Sequence, residues 1–274
     1  MRDLSRDVSF LSINTATLKT LTLRQAVETL SRHGIRAIAP WRDRLAECGV
    51  PEAARILADH GMTVTGLCRG GMFSAGDGAS DDNRRAVEEA AAIGAQCLVL
   101  VVGGLAAGSR DIAGARRIVR DGIAALLPHA RQAGVKLAVE PLHPMYAADR
   151  ACVNTLAQAN DLCDALGPGL GIAVDVYHTW WDPCLKAEIA RAGTHKGRIL
   201  AFHICDWLVP TRDLLLDRGM MGDGIIDIRC IRGWVEAAGY RGHCEVEIFS
   251  AENWWKREAD DVLRICVERY QGRC

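Results

Sequence analysis

Glu140, Asp175, His203 and Glu247 are the residues of this chain best suited to act together. Each closes an apolar run: KLAVE ends at 140, GIAVD at 175, ILAFH at 203 and CEVE at 247. Runs of this kind suit strands buried on both faces. One carboxylate or imidazole at the end of one strand means little, but four in series imply strand ends that converge. Three carboxylates and an imidazole form an oxygen-rich donor set for one hard divalent cation, Mn²⁺ by preference, with Mg²⁺ or Co²⁺ as alternatives. A structural zinc site would sooner use thiolates or several histidines. Coordination positions left open would take a substrate carbonyl and a neighbouring hydroxyl. Polarising that carbonyl stabilises the enediolate formed when the adjacent carbon loses its proton. Glu140 and Glu247 come from non-adjacent strands, so they can flank a substrate as an acid/base pair. A buried salt bridge is the alternative for either glutamate alone.

The elements that must position these residues are visible as a strand–helix alternation. Strand candidates are 8–14, 37–41, 64–68, 97–103, 136–140, 171–175, 199–203 and 244–249. Helical patterns lie between them at 23–34, 51–61, 81–94, 110–134, 153–166, 184–197, 227–239 and 256–270. Gly34, Gly61 and Gly94 close the first three, and Pro128 is expected to limit or bend the fourth. Strict alternation means parallel strands joined by right-handed crossovers, and eight such units close a barrel. The sequence therefore predicts an α/β chain, a single (β/α)₈ TIM barrel over residues 1–274, with its active site at the carboxyl ends of the strands. The length of 274 residues suits one such barrel. An open doubly wound sheet is the competing architecture. The first strand–helix turn lacks its glycine-rich phosphate fingerprint, and the Gly103–Gly104 pair lacks the rest of that pattern.

Around the four central residues stand candidate substrate contacts. His178 lies just beyond Asp175 on the loop over the barrel mouth and is placed to donate to a substrate oxygen. His143 follows Glu140 at the same end of the barrel. Trp181 and Trp207, with Trp180, sit on loops after the sixth and seventh strands, either stacking on sugar faces or capping the core. Asp206 is a candidate to orient His203 or to bind substrate. Arg218, in the glycine-containing loop DRGMMGDGIID, offers a guanidinium for a hydroxyl, carboxylate or phosphate. Trp41, Arg42 and Arg69 end the second and third strands and are weaker candidates for the opposite wall. No lysine or arginine cluster is visible that would mark a phosphate pocket.

Composition narrows the setting. A formal net charge of −1 gives no electrostatic reason to expect nucleic acid or a membrane surface as a partner. No apolar stretch is long enough for a spanning helix, and the first residues lack a secretory signal. Eleven scattered cysteines, none in a two-residue metal or redox spacing, point to reduced thiols and a cytoplasmic protein.

At LAVEPLHP, AVDVYH, FHICDW, RGMMGDGIID and GYRGHCEVEIFS the chain resembles the xylose-isomerase-like barrel superfamily, in its sugar phosphate isomerase/epimerase branch. The resemblance runs nearly end to end. It implies that Glu140, Asp175, His203 and Glu247 are the metal ligands, that His178 is the histidine following the aspartate, and that Arg218 is the loop arginine of the ketose 3-epimerases. The loop from His203 to Arg218 looks longer here. The expected activity is metal-dependent isomerisation or epimerisation of a small ketose or keto-polyol. The alternative is a lyase of the inosose-dehydratase type acting on a keto-sugar or keto-cyclitol, with His143 or His178 as the acid for the leaving hydroxyl. An endonuclease IV-like hydrolase would need further histidines that Asn14, Trp41, Cys68 and Gly103 do not supply. A non-catalytic sugar-binding barrel sits poorly with an intact ligand ring. The resemblance also implies a dimer or tetramer.

Overall fold

The computed structural model describes residues Met1–Cys274. Its barrel strands are β1 (Leu11–Asn14), β2 (Ala37–Ala39), β3 (Thr63–Val64), β4 (Leu67–Gly71), β5 (Leu98–Val101), β6 (Leu137–Val139), β7 (Leu170–Asp175), β8 (Ile199–Ile204) and β11 (Cys244–Val246). A separate antiparallel pair, β9 (Asp206–Trp207) and β10 (Arg218–Gly219), lies between the last two. The nine strands are parallel and run in the order β3-β2-β1-β11-β8-β7-β6-β5-β4. β3 pairs with β2 while β4 pairs with β5, so these two consecutive segments share one barrel position. A single parallel bridge between Trp41 and Cys68 draws the edges together. The result is the expected α/β barrel.

The helices are α1 (Leu23–Arg32), α2 (Arg42–Cys48), α3 (Val50–Asp59), α4 (Ala79–Ala92), α5 (Ile112–Gln132), α6 (Leu156–Leu166), α7 (Val176–Thr179), α8 (Leu185–Gly193), α9 (Ile228–Ala237) and α10 (Ala259–Arg273). Their starts follow local chemistry. Thr22 and Gln25 form a reciprocal capping box on α1, and Asp111, Thr155 and Asp227 cap α5, α6 and α9 through their side chains. Pro128 does not end α5. The turns around it bury Ile123, Leu126, Leu127 and Ala130, and that packing offsets the lost backbone hydrogen bond. The sequence pattern missed α2 and α7, whose 7 and 4 residues are too short to show a period.

Two apolar clusters support this arrangement. A continuous one of 67 residues fills the space where helices and strands meet. A small one, Cys68, Cys97, Val99, Ala138, Ala173 and Ala201, fills the barrel interior. Side chains alternate along a strand, so residues two apart share a face. Ala138, Ala173 and Ala201 therefore sit on the interior face, each two positions before Glu140, Asp175 and His203. Small side chains below leave room for polar ones above. No helix is long and apolar enough to cross a membrane.

Candidate metal centre

β6, β7, β8 and β11 are neighbours in the sheet, and their carboxyl ends carry Glu140, Asp175, His203 and Glu247. One ligand atom from each of the four lies within 4.8 Å of all the others, and all four residues are buried. The two glutamates come from the outer strands of this set and the aspartate and histidine from the inner ones.

Each side chain is oriented by an identifiable contact. Asp175 caps the single turn α7, its Oδ1 accepting from the Tyr177 amide at 2.7 Å. That leaves Oδ2 facing Arg218 Nη1 at 3.4 Å and His178 Nε2 at 3.7 Å. His203 Nδ1 meets Glu140 Oε1 at 2.8 Å. Its Nε2 has no hydrogen-bond partner and lies 3.5 Å from Oε1 of Glu245. Glu245, the register partner of His203 on β11, accepts from Asn14 Nδ2 at 2.8 Å and from Thr65 Oγ1 at 2.9 Å. Sequence reasoning missed this second buried acid, although its place two residues before Glu247 puts it on the same strand face. Glu140 Oε2 and Glu247 Oε1 take no hydrogen bond from the protein, so each glutamate keeps one unengaged oxygen.

The basic side chains here are Arg218 and the histidines. β10 pairs with β9, and the Arg218 amide donates to Phe249 O at 2.9 Å, which folds the loop arginine back over the barrel mouth. Its Nη1 reaches Glu247 Oε2 at 3.1 Å, and its guanidinium lies between the rings of Tyr177 (4.4 Å) and Phe249 (4.9 Å). Burial pushes Asp175 up to about 6 against the pull of Arg218, with Glu140 adding to the rise. Burial likewise pushes Glu247 up to about 7. His203 is held well above its usual range by Glu245 and Glu140 even though burial alone would lower it. His178 is held well below, by burial and then by Arg218, His143 and His203. Its ring is therefore neutral, with Nδ1 facing the His143 amide at 3.2 Å and Nε2 facing Arg218 Nη2 at 3.2 Å.

This ring suits a divalent cation. Three carboxylates and Glu245 crowd one buried volume in which Arg218 is the fully buried arginine, and burial, with repulsion from Glu140 adding to it, raises the carboxyls of Asp175 and Glu247. Glu140, Asp175, His203 and Glu247 would hold the ion, with Glu245 bracing His203 from behind.

A cavity of about 220 Å³ opens above the ring, lined by Glu140, His178, Arg218 and Glu247. Its remaining walls include Trp41, Arg69, Tyr146, Arg150, Leu215 and Phe249. Other candidates fall elsewhere. His143 stacks on Trp207 (ring centroids 5.0 Å apart) and meets Trp181 edge-on, away from the cavity. Trp207 also packs on Tyr177 and Trp180, and this stack braces the loop layer. Trp181 donates to His178 O at 2.8 Å. Asp206 neither orients His203 nor faces the cavity. Its carboxylate accepts the amides of Trp207, Gly222 and Ile226, because a buried carboxylate needs donors and the 218–226 loop supplies them. Arg42 pairs with Asp82 and Glu89 outside the cavity. Tyr146, Arg150 and Phe249 escaped sequence reading because they lie on loops with no periodic signal. A larger hollow of about 770 Å³, at the amino ends of the strands around Lys136, Pro168 and Lys196, is remote from the ring.

Comparison with known proteins agrees with this architecture. Protein SMc04130 from Sinorhizobium meliloti 1021 is 63% identical, covering 98% of this chain and 99% of that one, with a TM-score of 0.96. The IOLI protein with a binding zinc atom is 20% identical, covering 96% and 99%, with a TM-score of 0.79. The 3-keto-D-glucoside 4-epimerase YcjR from E. coli, in its apo form, is 16% identical, covering 97% and 100%, with a TM-score of 0.75. No curated protein matches the sequence. The family described as xylose isomerase-like TIM barrel matches residues 27–266, a span that takes in all four residues of the ring. With its parallel barrel and its buried acids and histidine at the strand ends, the chain belongs to that family.

Proposed function

We propose that this protein is a divalent-metal-dependent isomerase or epimerase of a small ketose or keto-polyol, acting by proton transfer at the carbon beside a carbonyl. One observation carries the reading: four ligand atoms within 4.8 Å of one another, two of them from glutamates on the outer strands of the set. The ion, Mn²⁺ by the oxygen-rich donor set, would supply Lewis-acid polarisation of the substrate carbonyl. The unengaged oxygens of Glu140 and Glu247 are the proton acceptor and donor on opposite sides of the substrate carbon. Arg218 tethers Glu247 and, with neutral His178, offers polar contacts to substrate oxygens as negative charge develops. Trp41, Tyr146 and Phe249 shield the site from bulk water. That the E. coli neighbour YcjR is a 3-keto-D-glucoside 4-epimerase supports this choice of chemistry, and the zinc in the IOLI structure supports a metal-bearing barrel.

Dehydration is the second reading. It needs an acid near the leaving hydroxyl. His178 is held neutral and His143 lies outside the cavity, whereas Tyr146 lines it with a buried hydroxyl that has no partner. The deciding experiment incubates Mn²⁺-loaded protein with ketoses and inososes in D₂O. Deuterium uptake with unchanged formula identifies an isomerase or epimerase, and loss of water identifies a lyase. The Glu247→Gln variant should lose exchange by about a hundredfold or more while keeping part of its metal affinity. Full turnover in that variant would refute the acid/base assignment.

A further inference from the structure

Arg69 and Arg150 stand on the wall of the same cavity as the ring, and neither guanidinium has a hydrogen bond or a salt-bridge partner in the protein. Elsewhere half-buried arginines are paired: Arg42 holds Asp82 and Glu89, and Arg2 holds Glu236. The two come from distant segments. Arg69 is the extra residue of a bulge in β4, where the register with β5 skips from Cys68–Val99 to Gly70–Leu100. A bulge next to a site re-aims a side chain that strict alternation would turn away. Arg150 follows a short 3-10 turn at Pro144–Tyr146, and its guanidinium lies 5.5 Å from the Tyr146 ring. The Arg150 carbonyl accepts from the Gly103 amide at 2.9 Å, which fixes this segment to the end of β5.

Two like charges without counter-ions, both half-buried beside one cavity, are costly unless an anion answers them. Burial lowers the Arg69 pKa, and the charge of Arg150 lowers it further. The carboxylates of the ring form no ion pair with either of them: Glu140 pairs with His203 and Glu247 with Arg218. The cavity, about 220 Å³, is smaller than the roughly 300–1,000 Å³ typical of drug-sized ligands, so its occupant is compact. We infer that the substrate carries an oxyanion, a carboxylate or a phosphate, held by Arg69 and Arg150 while its carbonyl end meets the four-residue ring. Planar guanidinium forks match either oxyanion. The inference rests on the reading of this cavity as the substrate site and narrows that substrate to an acidic or phosphorylated keto-sugar.

The test is calorimetry on the Mn²⁺-loaded protein with inorganic phosphate and with succinate as probes. At least one should bind at millimolar concentration or better, and Arg69→Gln or Arg150→Gln should each weaken it by about tenfold or more. Lysine at either position should restore part of the loss. Binding of phosphate alone points to a phosphorylated substrate, and of succinate alone to a sugar acid. Unchanged melting temperature and Mn²⁺ titration in the variants would exclude misfolding. If neither anion binds, or if the double variant binds both as well as the parent, the inference is wrong. Exchange in D₂O on D-fructose, D-fructose 6-phosphate and 5-keto-D-gluconate separates the two ideas. Arginine-dependent anion binding with no exchange on any sugar would sink the proposed reaction and leave the oxyanion site standing. Exchange on neutral fructose equal to that on the anionic sugars, unaffected by the variants, would do the reverse.

Discussion

At the scale of single residues, Glu247 shows what this site costs when no ion is bound. Burial, and Glu140 after the opposing pull of Arg218, push its carboxyl up to about 7 from an ordinary value of 4.5. A carboxyl raised on folding contributes its full stability while protonated, below about 4.5, and loses it as pH rises through about 7. The Glu247→Gln variant cannot ionise there. In chelator-treated protein it should gain on the parent between pH 5 and pH 8 by up to about 3 kcal/mol. Urea midpoints of the two proteins at both pH values would measure this. A difference that stays constant with pH would show that Glu247 is not strained by its surroundings. His178 moves the opposite way, since a neutral buried imidazole loses stability as pH falls. It is present in both proteins and cancels in the comparison.

At the scale of elements, the site depends on a loop that regular structure does not hold. The chain leaves β8, forms the short pair β9–β10 and returns with Arg218 over the barrel mouth. Asp206 is the clamp. It is fully buried and accepts from Trp207 N at 2.9 Å, Gly222 N at 2.8 Å and Ile226 N at 3.0 Å. Gly224 completes it, because a Cβ there would lie 2.1 Å from Trp207 O. Asp206→Ala leaves three amides without their acceptor, and should cost about 3 kcal/mol or more in urea unfolding. The released loop should also become a site of proteolytic cleavage. A wild-type midpoint with wild-type protease resistance would show that another contact fixes Arg218. The same lesson applies to α7. Its 4 residues gave no period, yet through the Asp175 cap it sets where His178 lies.

At the scale of the whole molecule, the barrel brings negative charge together and the fold bears the repulsion. An ion bound only by the folded state stabilises it by about 2.7 kcal/mol at a concentration of 100 times its dissociation constant. In a protein of this size that corresponds to a melting temperature higher by about 5–10 °C. Calorimetry of chelator-treated protein, before and after Mn²⁺ is restored, should show that rise. Identical melting temperatures would mean that no ion binds the ring.

The order of elements and the four donors were legible in the sequence for one reason. A buried parallel strand is an unbroken apolar run, and a polar residue that ends it stands out from its own neighbours. The helix stops were legible on the same local grounds, as Gly34, Gly61 and Gly94 with their positive φ illustrate. Glu245, the unpaired Arg69 and Arg150, and the removal of His143, Trp207 and Asp206 from the cavity were not legible. Their roles follow from loop paths, a bulge and contacts between segments far apart along the chain, and no periodicity records which way such side chains turn. The sequence by itself determined which residues could bind a cation and that a closed ring of strands would gather them. Only the tertiary structure decided what faces them, because the walls of a cavity are set by packing across the barrel mouth and not by the order of residues along any one strand.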